Sequence, residues 1–394
     1  MFKLTLHQTG YKRMNSKERV TAAIARMPVD RVPLGFYAVD YDTIEKVIGR
    51  PTYVRNKIDI QVALWEGRRA EVAESLKKDT VEFYEKIDCA DILLPKEAQL
   101  LPPVNYTPDP PRKIAEDKWE DRDGRVYQAD RTSNEIACIH DPHAGQQTFS
   151  IEDFNGPIEI KPPDPSIFEA IDYVIDKLGG QRYVAGTTGG VTAMPLLGGT
   201  ENGLMMYALQ PEVVTAANRQ SVTVQNAMDS YFIRPGVDGV LMEQDMAGTN
   251  APLISPTMFR EYCFPFLKDR IAHVKQSVAQ VIFHNCGNNI PLMDMLIETG
   301  IDCYQSLQTT AGMEVGKLKD MYGDRLSFWG GIPVETLIAG SPCDVRKAVR
   351  TAMERGTPGG GFILGPSHSV AKNTKYENFM AMLDEFVKLR DRYR

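Results

Sequence analysis

Val278-Ala-Gln-Val-Ile-Phe-His-Asn-Cys-Gly287 is a short β-branched and aromatic run that ends in an imidazole, a thiol and a glycine. Residues two apart on a strand share a face, so His284 and Cys286 point the same way from the strand's end. An imidazole nitrogen and a thiolate presented together suit a borderline metal, zinc above all. Two ligands do not hold such an ion, so a third must come from elsewhere in the chain. The plainer alternative is a small buried cysteine beside a hydrogen-bonded histidine.

Outward from this run, strand and helix patterns alternate in both directions. Downstream come a helix over 290–299, a strand over 301–307, a short helix over 316–321 and a strand over 326–331. A helix over 344–355, a last strand over 361–366 and a closing helix follow, the last marked by Phe379, Met382, Leu383, Phe386 and Val387. Upstream lie a helix from Ser255-Pro256 to about Lys275, broken near Pro265, a strand over 237–245, helices over 211–233 and 204–208, and a strand over 183–189. Asp164 and Pro165 open another helix, which Gly179 ends. Earlier still are a strand at Ala90–Pro95, a long helical stretch over 62–86 and a strand at Arg31–Phe36. The helix from Asn15 to Met27 has Asn15 and Glu18 spaced as a cap and its reciprocal partner. Eight short apolar strands separated by helices predict an α/β fold, a (β/α)8 TIM barrel with an N-terminal helical extension. Residues 96–163 break the pattern with clustered prolines and an Asp123-Gly124 hairpin signal. They read as a small β-rich insertion within one barrel spanning 1–394.

The chain has 394 residues, 43% hydrophobic and 25% charged, with a formal charge of −7. No basic run offsets that charge, which argues against nucleic acid as a partner. No apolar run approaches membrane-spanning length, and Met1–Lys12 lacks the apolar core of a signal peptide, reading as a tail or a first strand. Cys89, Cys138, Cys263, Cys286, Cys303 and Cys343 are scattered without a Cys-x-x-Cys pair, the pattern of reduced thiols in a cytoplasmic protein.

In a barrel the chemistry gathers where the strands end. Tyr37, Asp40 and Asp42 follow the first strand, Asp91 lies in the second, and Thr187 and Thr188 end the third. Glu243 and Asp245 end the fourth, His284 and Cys286 the fifth. Cys303, Gln305 and Gln308 belong to the sixth, Trp329 to the seventh, and Ser367 and His368 to the eighth. His284, Cys286 and His368 can therefore share one zinc with an open position. Glu243 or Asp245 can add an oxygen ligand or act as a general base. The alternative for His368 is a substrate-bonding group without metal. Tyr37, Asp40, Gln305 and Trp329 are candidate substrate contacts, Asp91 a candidate catalytic acid, and Cys303 a packing residue. His140 and His143 flank Pro142, which suits a surface loop. Gly359-Gly-Gly361 lacks the Lys-Ser/Thr of a phosphate cradle. Neither a Gly-x-Ser-x-Gly elbow nor a dinucleotide fingerprint is present.

These stretches resemble the uroporphyrinogen decarboxylase superfamily, and within it the corrinoid-dependent methyltransferases of anaerobic bacteria and archaea. The resemblance rests on Asn15-Ser-Lys-Glu-Arg-Val20 through Asp30-Arg-Val-Pro33, Gly198-Gly-Thr-Glu-Asn-Gly203, Ile254-Ser-Pro256, Phe283-His-Asn-Cys-Gly287, Phe328-Trp-Gly-Gly-Ile332, Gly365-Pro-Ser-His-Ser369 and Glu377-Asn378. It implies a zinc enzyme that moves a methyl group between a small substrate and a corrinoid (cobalamin) carried by a partner protein. The Asp-x-His-x-x-Gly segment of a corrinoid carrier is absent from this chain. In the methyltransferase branch the third zinc ligand is a cysteine after the eighth strand, and here His368 stands there. The decarboxylases carry an Arg-Gln-Ala-Gly-Arg segment after the first strand, where this chain has Gly35-Phe-Tyr-Ala-Val-Asp40; acids there repel a polycarboxylate. Asp91, in Ala-Asp-Ile-Leu, is similar to the segment holding the decarboxylases' catalytic aspartate. The favoured expectation is demethylation of a methyl ether-type donor. Its alternatives are a methylcorrinoid:thiol (coenzyme M-like) methyltransferase and a metal-free decarboxylase using Asp91 and His368. A silent binding protein is a further class, and the polar groups at the strand ends argue against it.

Overall fold

Period-two alternation along short apolar strands builds a wall with an inner and an outer face. The computed structural model describes residues 13–145 and 147–393, so the segment Met1–Lys12 lies outside the described residues. β1 (Ile92–Leu93) begins the main sheet. β2 (Arg112–Ala115), β3 (Lys118–Glu120), β4 (Val126–Asp130) and β5 (Glu135–His140) form a separate antiparallel sheet. Gly124, at φ +78°, makes the turn between β3 and β4, the left-handed position that an Asp-Gly pair supplies. β6 (Tyr183–Gly186), β7 (Gly239–Glu243), β8 (Val281–His284), β9 (Cys303–Gln305), β10 (Ser327–Ile332) and β11 (Phe362–Pro366) continue the main sheet, all parallel and in sequential order after β1.

The eighth position is filled by residues 33–36, which join the two edges of this sheet. Leu34 bridges Leu364 in parallel, Gly35 N donates to Leu364 O at 3.0 Å, and Asp91 N donates to Leu34 O at 2.7 Å. The result is a TIM-barrel-like α/β fold.

Inside the ring, Ile92, Tyr183, Leu241, Ile282, Cys303, Trp329 and Ile363 form one apolar layer. The N-terminal helix Ser16–Ile24 lays Val20, Ala23 and Ile24 on that layer and closes the barrel's N-terminal end. Asn15 caps this helix in a reciprocal box with Glu18. Outward-facing Val281, Phe283, Tyr304 and Phe328 pack instead among the surrounding helices.

One helix differs from expectation, and another divides where its proline predicts. The stretch 62–86 is two helices, Lys57–Trp65 and Arg69–Lys86, with Gly67 at φ +76° between them. The helix after Ser255 divides at Cys263 into Pro256–Tyr262 and Phe264–Val274, because Pro265 has no backbone N–H for a continuous ladder.

Candidate metal centre at the barrel mouth

One step along each inner face from the apolar layer, the side chains become polar. Glu243, His284 and Gln305 sit in register on β7, β8 and β9, two residues beyond Leu241, Ile282 and Cys303. Strand alternation therefore turns all three into the barrel, at its C-terminal end.

His284 is 3% exposed, and its Nδ1–H donates to Gln305 Oε1. That bond fixes the tautomer and leaves Nε2 bare, 3.4 Å from Cys286 Sγ. Cys286 lies just past the strand, held by Cys286 N donating to Asp245 Oδ1 at 2.7 Å and by its thiol on Ser306 Oγ at 3.4 Å. Gly287 turns the chain immediately afterwards at φ +85°, and a Cβ there would meet Ala247 O at 2.3 Å. His368 follows β11, its Nδ1 3.0 Å from Ser369 Oγ. One ligand atom from each of His284, Cys286 and His368 lies within 4.8 Å of the other two.

The electrostatics of this trio suit a cation. Burial, helped by His368 and Lys96, pushes the His284 pKa down to about 4, which keeps its imidazole neutral and able to ligate. Burial likewise lowers that of His368. Burial pushes the Cys286 thiol up to about 12, and Asp245 and Glu243 add to the effect. A thiolate there needs a positive partner, and a bound metal ion supplies one. Two neutral imidazoles and one thiol, with a glutamine fixing one ring, fit zinc.

Tyr37 stacks on His284 with ring centroids 4.0 Å apart and meets His368 edge-on at 5.0 Å. Its hydroxyl donates to Glu243 Oε2 at 2.7 Å, and Lys96 Nζ stands 2.5 Å from the same oxygen and 4.0 Å above the Tyr37 ring. Burial raises the Glu243 pKa, but Lys96, Tyr37 and His284 together outweigh it and leave the carboxyl below its ordinary value. Beside this group a cavity of about 540 Å³ opens, lined by Tyr37, Arg55, Lys96, Glu97, Thr187 and Phe232 among others.

The mouth thus brings together Tyr37, Glu243, Asp245, His284, Cys286, Gln305 and His368. Asp40 lies nearby, paired with Arg55 at 3.0 Å. Gln305 binds the ring of His284, a role different from substrate contact. Asp91 and Trp329 are not brought to the mouth. Asp91 precedes β1, at the barrel's other end, where it accepts from Arg19 Nη1 at 2.6 Å, Ser16 Oγ at 2.8 Å and Leu34 N at 3.1 Å. Trp329 is fully buried in the inner apolar layer, its Nε1–H on Gly35 O at 3.2 Å. The sequence reading missed Arg55, Lys96, Glu97 and Ser306. Lys96 and Glu97 directly follow a strand that ends at Pro95, a position that could have flagged them.

Fold and site together define a barrel protein whose polar, metal-competent groups lie where the strands end. The uroporphyrinogen decarboxylase (URO-D) family model matches residues 135–389, well over half of the chain. This protein belongs to the uroporphyrinogen decarboxylase family. It is 23% identical over 245 residues to the uroporphyrinogen decarboxylase of Pelodictyon phaeoclathratiforme (strain DSM 5477 / BU-1), a match covering 57% of this chain and 66% of that relative, just under two thirds of its length. Its fold is similar to that of a methyltransferase from Methanosarcina mazei, with a TM-score of 0.63, 18% identity, and coverage of 96% of this chain and 99% of that one.

Proposed function

We propose that this protein is a zinc-dependent methyltransferase that takes a methyl group from a small methyl ether-type donor and delivers it to a corrinoid on a partner protein. One observation carries the reading: His284, Cys286 and His368, from two distant strand ends, converge within 4.8 Å at the mouth. The fold shared with a protein named as a methyltransferase supports it, and the corrinoid follows from the sequence resemblance alone.

In the reaction the donor's carbon–oxygen bond breaks and its electron pair stays on oxygen. The lone pair of Co(I) forms the new cobalt–carbon bond, giving methyl-Co(III). A zinc ion held by the three ligands would supply Lewis acidity toward the oxygen that loses the methyl. Gln305 holds His284 in the ligating tautomer, and Tyr37 shields one face of its ring from water. Lys96 and Tyr37 fix Glu243 beside the cavity, where its carboxylate can orient a polar group of the donor.

Metal analysis of the purified protein, of Cys286→Ala and of His368→Ala tests the site. One zinc per chain is expected, lost in Cys286→Ala. Full activity without metal would sink the reading, and full zinc in His368→Ala alone would make His368 a substrate group. Mixing protein, a reduced corrinoid carrier and methyl ethers should convert Co(I) to methyl-Co(III), followed by absorbance.

A further inference from the structure

We infer that Glu97 is a specificity-determining residue of the mouth cavity, and that the small substrate carries a hydrogen-bond donor, a hydroxyl or a protonated amine, which Glu97 accepts. The inference rests on the reading of this cavity as the substrate's site. Glu97 lies on the 3-10 turn Pro95–Ala98 that follows β1. It is 6% exposed, lines the cavity of about 540 Å³, and its Oε2 is buried without a hydrogen bond.

The neighbouring cation does not satisfy it. Arg55 Nε stands 3.3 Å from Glu97 Oε2, but that nitrogen has a single hydrogen and directs it to Asp40 Oδ1 at 3.1 Å. Arg55 Nη2 also donates to Asp40 Oδ1, at 3.0 Å. Glu97 therefore receives charge without a proton to bond. Lys96, next in the chain, is engaged by Glu243. Around the cavity the cations Arg55, Lys57 and Lys96 are already paired with Asp40, Glu135 and Glu243, which leaves the Glu97 oxygen open to a donor from outside. A buried acceptor left open is costly, and a ligand that fills it is selected strongly over one that does not. Tyr37 and Phe232 offer the donor's body an apolar wall.

The test is binding to the purified protein by calorimetry, without any corrinoid, so that it stands or falls apart from methyl transfer. The probes are 3-methoxyphenol, 3-methoxybenzylamine and anisole, which carry a hydroxyl, an ammonium and neither group. The wild type should bind at least one of the first two about tenfold or more tighter than anisole. Whichever is preferred tells hydroxyl from ammonium. Glu97→Leu should erase the preference, and Glu97→Gln, closer in shape, should weaken it while zinc content stays at the wild-type level. Equal binding of the three probes, no binding of any at millimolar concentration, or a preference that survives in both variants overturns the inference.

Discussion

The two ends of the barrel bury similar chemistry and treat it differently. At the N-terminal end Arg19 is 2% exposed and all three of its guanidinium nitrogens are engaged, by Asp30, Asp91 and Met14 O. Asp91 receives donors on both oxygens, from Arg19, Ser16 and Leu34. At the C-terminal end His284 Nε2 has only the Cys286 sulfur at 3.4 Å, that thiol itself turns to Ser306 Oγ, and Glu97 Oε2 has no hydrogen-bond donor. Saturated polar groups hold the closing helix on the barrel, and unsaturated ones wait for something from outside. For Arg19, Asp91, His284 and Glu97, all of them buried, the difference lies in the count of donors and acceptors.

The comparison breaks most forcefully at Asp91. Asp91→Ala leaves Arg19 Nη1 and Leu34 N without their buried acceptor, while Asp30 still pairs the guanidinium, and should cost about 1–3 kcal/mol of stability for each stranded donor, read as a lowered denaturant midpoint, with metal content per folded molecule unchanged. Loss of metal with stability retained would place Asp91 in the site after all. Gln305→Leu acts at the other end. It frees the His284 ring and should weaken metal affinity by roughly 10–100-fold, measured by chelator competition, while the metal-free protein unfolds as the wild type does. An unchanged affinity would mean that the ring is held by something else.

The smallest effect is one of acidity. Burial raises the Asp30 carboxyl, but the Arg19 hydrogen bond and charge, together with Met14 N, bring it below its ordinary value of 3.8. Its folded pKa being depressed, the stability it contributes is complete above the unfolded value and is lost as pH falls through and below that value. Asp30→Asn should therefore be less stable than wild type at neutral pH. The gap should narrow in denaturation curves taken from about pH 5 downward. A gap that widens on acidification would reverse the assigned sign.

The strand–helix alternation was legible because each buried strand is a short apolar run with a polar end, as Val281–His284 shows. The pairing of His284 with Cys286 was legible for the same reason: two residues of extended chain determine a common direction. Asp91 misled because an acid beside an apolar run does not reveal which end of the strand it occupies; Arg19, which decides the matter, is far away in sequence. Trp329 misled because alternation tells inner from outer face but not depth within the barrel. Glu97 went unseen because a Lys-Glu pair after a proline looks like any solvated turn, and only the placement of Arg55 and Asp40 exposes its open oxygen. The break at Gly67 was available in the sequence, since a glycine there ends one helix in the left-handed region.

The helix Ser16–Ile24 stops one end of the barrel with Val20, Ala23 and Ile24, each at most 1% exposed. With that end stoppered, the mouth at the strands' C-terminal ends is the doorway among the described residues, and on the reading proposed above two visitors must use it. The smaller has to be seated before the larger, protein-borne one covers the entrance, and it leaves only after the larger departs. Traffic through the site is then a queue with a fixed order, imposed by nine residues at the far end of the fold.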